Sequence, residues 1–366
     1  MAAQGVVFVS FNYRVGVFGF MAHPALSAES GHQASGNYGL MDQLAALKWV
    51  KDNIAAFGGD PDQVTIAGQS AGSMSVSCLM ATPAAKNMFS KAIAESGAYV
   101  LNHSGIAELR KAEQQGLAIA EKLQAKTLAE LRAAPASALQ QSAVGNFKPI
   151  VDGYILPESV GDCFAAGRQH KVPLLTGWNA DEVYVAQPIT TVNGIQDKLK
   201  AQYGDQAETL LNYYNVNDEP SAINAQRQLA TAERYGIQNF TLANLQSKIP
   251  GIPVYVYRFY RKVPGNGEYG KFGAFHTSEV PYAYHNLRFS DRPWQAIDYK
   301  LEKEMSESWI NFIIYGDPNH KGMAKWSRYD QKIFQVMVFD EEIKPAVLAE
   351  KEVLQVIVAA QALKAP

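Results

Sequence analysis

Cysteine is scarce: Cys78 and Cys163 are the only two in 366 residues. Two thiols cannot make a disulfide framework, and neither belongs to a C-x-x-C pair or a His/Cys cluster of the zinc type. At most one disulfide could form, so the redox compartment stays undecided. Charge of one sign is also lacking. Lys plus Arg number 33 against 35 Asp plus Glu, a formal net charge of −2. No basic block stands out, which excludes nucleic acid as the main partner. No run of about 18 apolar residues exists, so no transmembrane helix is expected. The first residues lack the charged start, apolar run and small-residue cleavage site of a signal peptide. Repeats, low-complexity tracts and linkers are absent, so one domain spanning 1–366 is the economical reading.

What is present is ample core material and an alternating pattern. Hydrophobic residues make up 47% and charged residues 19% of the chain, which excludes global disorder. Val6 to Tyr13 is a β-branched and aromatic run that reads as a buried strand. A chain that opens in a core strand is expected to have lost what came before it. A Gly-rich loop follows, then a helix from Leu40 to about Ala56, with Leu40, Leu44, Leu47, Val50 and Ile54 at helical spacing. Short apolar strands are expected at 64–67, 92–94, 173–177, 254–259 and 336–339. Leu301, Met305, Trp309 and Phe312 mark another helix, and 345–365 reads as a last one. Stretches at about 106–142 and 196–240 are rich in helix formers and read as helical insertions. Strand, helix, strand repeated in this way gives a mostly parallel central sheet flanked by helices, an α/β fold.

The chemistry starts at Gly68-Gln-Ser-Ala-Gly72, which fits the G-x-S-x-G nucleophile elbow. It follows a four-residue apolar strand and opens a helix. Glycine at 68 and 72 leaves room for the sharp turn and for helix-on-strand packing. Ser70 Oγ would then project at the strand's carboxyl end, and the Ala71 N–H can serve as an oxyanion donor aided by the helix dipole. A tight turn with a capping serine would show the same five residues. The serine needs a base oriented by a carboxylate, supplied later in the chain, acid before histidine. Of seven histidines, His23 and His32 precede the serine, and His103, His170 and His320 lie at the edges of helical or turn segments. His276 and His285 follow the 254–259 strand. His276 is in a short loop after a Gly-rich turn, whereas His285 is in an aromatic segment. The strand at 173–177 runs on to Asp181-Glu182, two adjacent acids of which only one can face a histidine. Their types and spacing do not choose between them.

Several stretches, in order and spacing, resemble the type-B carboxylesterases, the cholinesterase-like α/β-hydrolases. They are Asn12–Gly16 (NYRVG), Gly36–Gln43 (GNYGLMDQ), Ala46–Val50 (ALKWV), Phe57–Pro61 (FGGDP), Val64–Ile66, the elbow, Ser96-Gly97, Asn179–Glu182 (NADE), Gly273–Glu279 (GAFHTSE) and Gly316–Asn319 (GDPN). The resemblance covers most of the chain. It implies Ser70 as nucleophile, His276 as general base, Glu182 as the acid and Ser96 as a brace for that acid. It implies a small-molecule carboxylic ester as substrate and no metal or organic cofactor. His276-x-x-Glu279 alone is too sparse for zinc. Trp178, Tyr184, Phe272, Phe275 and Gln69 are the expected pocket residues.

Two departures from the family pattern stand out. Gln69 replaces the usual glutamate before the nucleophile. The His-Gly-Gly-Gly-type oxyanion loop, with the strand leading into it, is absent before Gly5. In the family that strand lies between the strands expected here at 6–13 and 64–67. The expectation is therefore an α/β-hydrolase lacking its N-terminal strands and oxyanion loop. Its function is an esterase. The alternatives are a non-catalytic, adhesion-like relative or an inactive piece of an active enzyme. All three triad positions are filled, which favours the esterase over the adhesion-like reading. The resemblance is compatible with a secreted or periplasmic protein, and the compartment, like the oligomeric state, stays open.

Overall fold

A computed structural model describes residues 1–101 and 107–362. His103, the start of the first expected insertion at 106 and the last residues of the expected C-terminal helix lie outside them. Six strands form one sheet: β1 (Thr65–Gln69), β2 (Lys91–Glu95), β3 (Leu174–Asn179), β4 (Val254–Phe259), β5 (Gln335–Phe339) and β6 (Lys344–Val347). They lie side by side in sequence order. The first five are parallel, and β6 closes the far end antiparallel to β5. Each parallel step needs a crossover, and helices supply them.

Alternation along the strands builds two apolar layers. Ala92, Ala94, Leu174, Trp178, Val254 and Val256 face one side, where Val76 and Leu79 of the Ala71–Ala81 helix and Phe240 of the Ile237–Ser247 helix pack on them. Ile93, Leu175, Tyr255, Tyr257 and Phe259 face the other side and meet Leu301, Met305, Trp309 and Phe312. These four residues share one stripe of the Ala296–Tyr315 helix, which begins in a Gln295/Asp298 capping box and stops at Gly316 with φ 70°. Each such side chain, fully buried, contributes about 1.5–3 kcal/mol.

The expected strands at 64–67, 92–94, 173–177, 254–259 and 336–339 match β1 to β5 within a few residues. Helices Leu109–Lys122, Leu128–Ala133 and Ala136–Ser142 fall within the first expected insertion, and helical segments from Val192 to Ser247 fill the second. Three expectations need correction. Val6–Tyr13 is not a strand: it has no ladder partners, with Phe8 54% and Phe11 45% exposed. Local pattern makes a segment strand-like, but pairing needs a neighbour, and a cavity of about 560 Å³ separates this segment from β1. β1 is consequently an end strand of the sheet. Residues 345–347, the start of the expected last helix, are not helical but belong to β6, because β5 offers an edge to pair with. The helix there is Lys351–Ala362. The Gly-rich loop after Arg14 contains two short helices, Gly16–Phe20 and Pro24–Glu29.

Cys78 and Cys163 are separate buried thiols. Among the described residues no helix is long and apolar enough to cross a membrane, and no group of three or more His, Cys, Asp or Glu could hold a metal ion.

Candidate active site

The carboxyl ends of β1 to β4 carry the residues that the sequence singled out. Ser70 N–H donates to Glu95 O at 2.9 Å, and Ser70 O accepts the Met74 N–H at 2.9 Å. The serine is thus the joint where the strand ladder becomes helix. The joint is sharp: Ser70 has φ 57° and ψ −119°, which a non-glycine residue adopts only under strain. Gly68 makes it sterically feasible. A Cβ there would lie 2.3 Å from the Gly72 carbonyl carbon. Gly72 differs from the expectation, since a Cβ on it would meet nothing within 4 Å. Ala71 is exposed and is the first residue of the helix, so its N–H has no acceptor within that helix.

Glu182 and Asp181 point to different partners. The Asp181 carboxylate accepts the Ala274 N–H at 2.9 Å, and Asp181 bridges Phe275 in parallel fashion. Gly273, at φ 62°, is required there, because a Cβ would lie 2.2 Å from Asp181 Oδ2. Asp181 therefore anchors the histidine loop, while Glu182, its side chain fully buried, faces the imidazole. Glu182 Oε2 lies 2.5 Å from His276 Nδ1. Its other oxygen accepts the Ser96 hydroxyl at 2.5 Å and the Asn179 N–H at 2.7 Å. Asn179 Nδ2 reaches across to Phe275 O at 2.9 Å and to the Glu279 carboxylate, tying β3 to the histidine loop. Ser96 and Thr277 also have positive φ, 55° and 75°.

A second acidic layer lies behind Glu182. Glu95 accepts the Trp309 indole N–H at 2.6 Å and is fully buried, as is Glu279. Burial pushes the Glu95 carboxyl up to about 7. Burial, reinforced by Glu182 and Glu95, raises Glu279 well above the usual carboxylate range.

Sequence reasoning missed Tyr235. It sits in a π-helical turn, Ala232–Gly236, inside an otherwise continuous helical run. Such turns are frequent at functional sites. Its ring stacks on the His276 ring at 4.5 Å with an interplanar angle of 23°, and its hydroxyl is 3.4 Å from Nε2. Burial raises the phenol's pKa, against the opposing effect of the neighbouring Arg234. Among the described residues no hydrogen bond joins Ser70 to the imidazole directly. The Gln69 amide lies 3.4 Å from each ring nitrogen, so it engages neither nitrogen head-on. No local sequence signal marks Tyr235, because helix and loop meet only through the tertiary fold.

The expected pocket residues scatter. Trp178 is no wall: it is buried in the core under the Arg258 guanidinium, 4.4 Å from its ring. Tyr184 and Phe272 pack edge to face at 5.3 Å, with Tyr184 half exposed. Phe275 is partly buried beneath Arg292. A cavity of about 600 Å³ between the 14–41 segment and the first helical insertion is lined by neither Ser70 nor His276, and the same holds for the one beside β1. The remaining described histidines have structural contacts: His23 caps a helix, His32 stacks on Tyr154, His170 bonds Thr82 O, and His285 and His320 lie near Glu302 and Glu307.

A mostly parallel sheet flanked by helices, with a serine at a strained strand–helix elbow, defines an α/β-hydrolase. A solved "PNB esterase" superposes with a TM-score of 0.77 at 31% identity over 94% of this chain and 72% of that one. A carboxylesterase from Geobacillus stearothermophilus gives 0.76 at 28% identity, over 96% and 74%. The chain belongs to the carboxylesterase family, whose model matches residues 1–356. It is 36% identical to the para-nitrobenzyl esterase of Bacillus subtilis (strain 168), over 94% of this chain and 71% of the relative. It is 34% identical to the fumonisin B1 esterase of Sphingopyxis macrogoltabida, over 94% and 65%. The chain thus spans about two thirds of the length of the curated relatives that it matches.

Proposed function

We propose that this chain hydrolyses small carboxylic esters through an acyl-enzyme, with Ser70 as nucleophile, His276 as general base and Glu182 as the orienting acid. The observation that carries the reading is the 2.5 Å Glu182–His276 contact beside a serine held at a strained elbow. Glu182 accepts a hydrogen bond from the Nδ1–H, which leaves Nε2 as the basic nitrogen. The serine proton passes to Nε2 as Oγ attacks the ester carbonyl. The Ala71 N–H, at the positive end of its helix, stabilises the oxyanion. The imidazolium returns the proton to the leaving alcohol, and water then releases the acid. Family membership supports the same reading, as do relatives named for ester hydrolysis.

The test is hydrolysis of p-nitrophenyl acetate by the chain and by its Ser70→Ala and His276→Ala variants. Each substitution is expected to lower kcat by about 10³-fold or more. Hydrolysis that survives both substitutions would reject Ser70 and His276 as the reacting pair.

A further inference from the structure

The π-helical turn that brings Tyr235 to the imidazole also carries a cation. Arg234 is exposed, and its guanidinium lies 5.6 Å from the centre of the Tyr235 ring. None of the ion pairs among the described residues includes it. The carboxylates nearest the site are engaged elsewhere. Glu182 holds His276, Ser96 and the Asn179 N–H. Asp181 accepts the Ala274 N–H, and Glu233 accepts from Gln202 and Tyr203. Gln69, beside Ser70, is neutral. We propose that Arg234 is a specificity residue: it selects esters whose alcohol portion bears a carboxylate, and binds that carboxylate while Ser70 attacks the ester. The inference rests on the triad assignment above.

The chemistry says which half of the substrate Arg234 meets. His276 returns its proton to the leaving oxygen, so the alcohol half of the ester must lie beside Nε2. The imidazole is open to a substrate, its side chain being 25% exposed. The Tyr235 hydroxyl is 3.4 Å from Nε2, and the Arg234 guanidinium lies against the same Tyr235 ring. An alcohol group leaving Nε2 along the tyrosine therefore runs toward the guanidinium, whereas the ester's carbonyl oxygen turns to the Ala71 N–H. A guanidinium offers a planar fork of donors that matches a carboxylate, which an ammonium does not. With no acid of its own chain beside it, Arg234 keeps its charge for a partner from outside. The same charge repels a cationic alcohol group.

The experiment compares 4-acetoxybenzoate with its neutral isostere 4-acetoxybenzamide. Both are acetates, and both carry the test group across one benzene ring from the ester oxygen. Each kcat/KM is divided by that ester's own rate of alkaline hydrolysis, with Ser70→Ala as the blank. The full chain should prefer the carboxylate by about 10-fold, the size of one charge-assisted contact. Arg234→Gln should lose that preference and hydrolyse the amide at the parent's rate, which also shows that the variant folds. Arg234→Lys, which keeps the charge without the fork, should retain part of the preference. A parent without preference for the carboxylate, a preference that survives Arg234→Gln, or an equal loss on both esters would overturn the inference and leave the triad standing. Failure of the parent to exceed Ser70→Ala on either ester would instead bring down the triad assignment, and this inference with it.

Discussion

Replacing Glu95 by glutamine should flatten the dependence of stability on pH. Glu95 is fully buried, accepts one hydrogen bond from Trp309, and has its second carboxyl oxygen without a partner among the described residues. Glu279, Tyr257 and Tyr284 share its surroundings, and burial pushes its carboxyl from an ordinary 4.5 up to about 7. The folded chain therefore holds a proton that the unfolded chain releases above pH 4.5. Stability from this group is fully present below 4.5 and is lost as pH rises to about 7. One proton changes the unfolding free energy by about 1.4 kcal/mol per pH unit, or about 3 kcal/mol over this window. The substituted amide keeps an acceptor for the indole and supplies a permanent N–H donor in place of the carboxylic acid, so it cannot titrate. Glu279, raised for similar reasons, continues to contribute its own proton. Urea unfolding at a series of pH values, from about 5 to about 8, measures the difference. The Glu95→Gln line should be less steep than the parent's by about 1.4 kcal/mol per unit below about pH 7. Parallel lines would show that Glu95 is ionised in the folded protein and that the reasoning is wrong.

The elbow glycines should behave oppositely. Gly68→Ala drives a Cβ into the Gly72 backbone and should cost about 1–3 kcal/mol, whereas Gly72→Ala, in open space on a helix, should stabilise by up to about 1 kcal/mol; thermal melts of both variants decide. Gln69 puts no charge beside Ser70, so kcat/KM should favour a neutral ester over its trimethylammonium isostere, and strong preference for the cation in high salt would reject this. Ser96→Ala removes one of two donors to the inner oxygen of Glu182 and should lower kcat with little change in KM; a change confined to KM would place Ser96 in substrate binding instead.

Strands β1 to β5 are legible in the sequence because each is a short apolar run bounded by turn residues, and burial on both faces leaves such runs few other uses. Val6–Tyr13 has the same local signature and fails, because a strand is defined by its neighbour and none is within pairing reach. Lys344–Val347 is hidden for the converse reason: a lysine, a proline, an alanine and a valine say little until β5 offers an edge. The elbow and the histidine loop can be read as local motifs. The choice between Asp181 and Glu182 cannot be read from their types, since it depends on which face of the β3 terminus meets the loop at 273–276. Trp178 is misplaced by a sequence reading because adjacency to the acid is not adjacency to substrate, and strand alternation turns its side chain into the core. Tyr235 is readable only in three dimensions.

Three side-chain-bearing residues, Ser70, Ser96 and Thr277, hold backbone angles that glycine would hold more cheaply. Thr277 is the plainest case, being exposed and β-branched next to the histidine. Heat tolerance and turnover therefore pull this site in opposite directions. Selection of variants by survival at high temperature alone should accumulate glycine at 277, where it relieves the chain and loosens the hold on His276. Selection by ester cleavage should keep the threonine, so the fate of this one codon reports which pressure a population has been under.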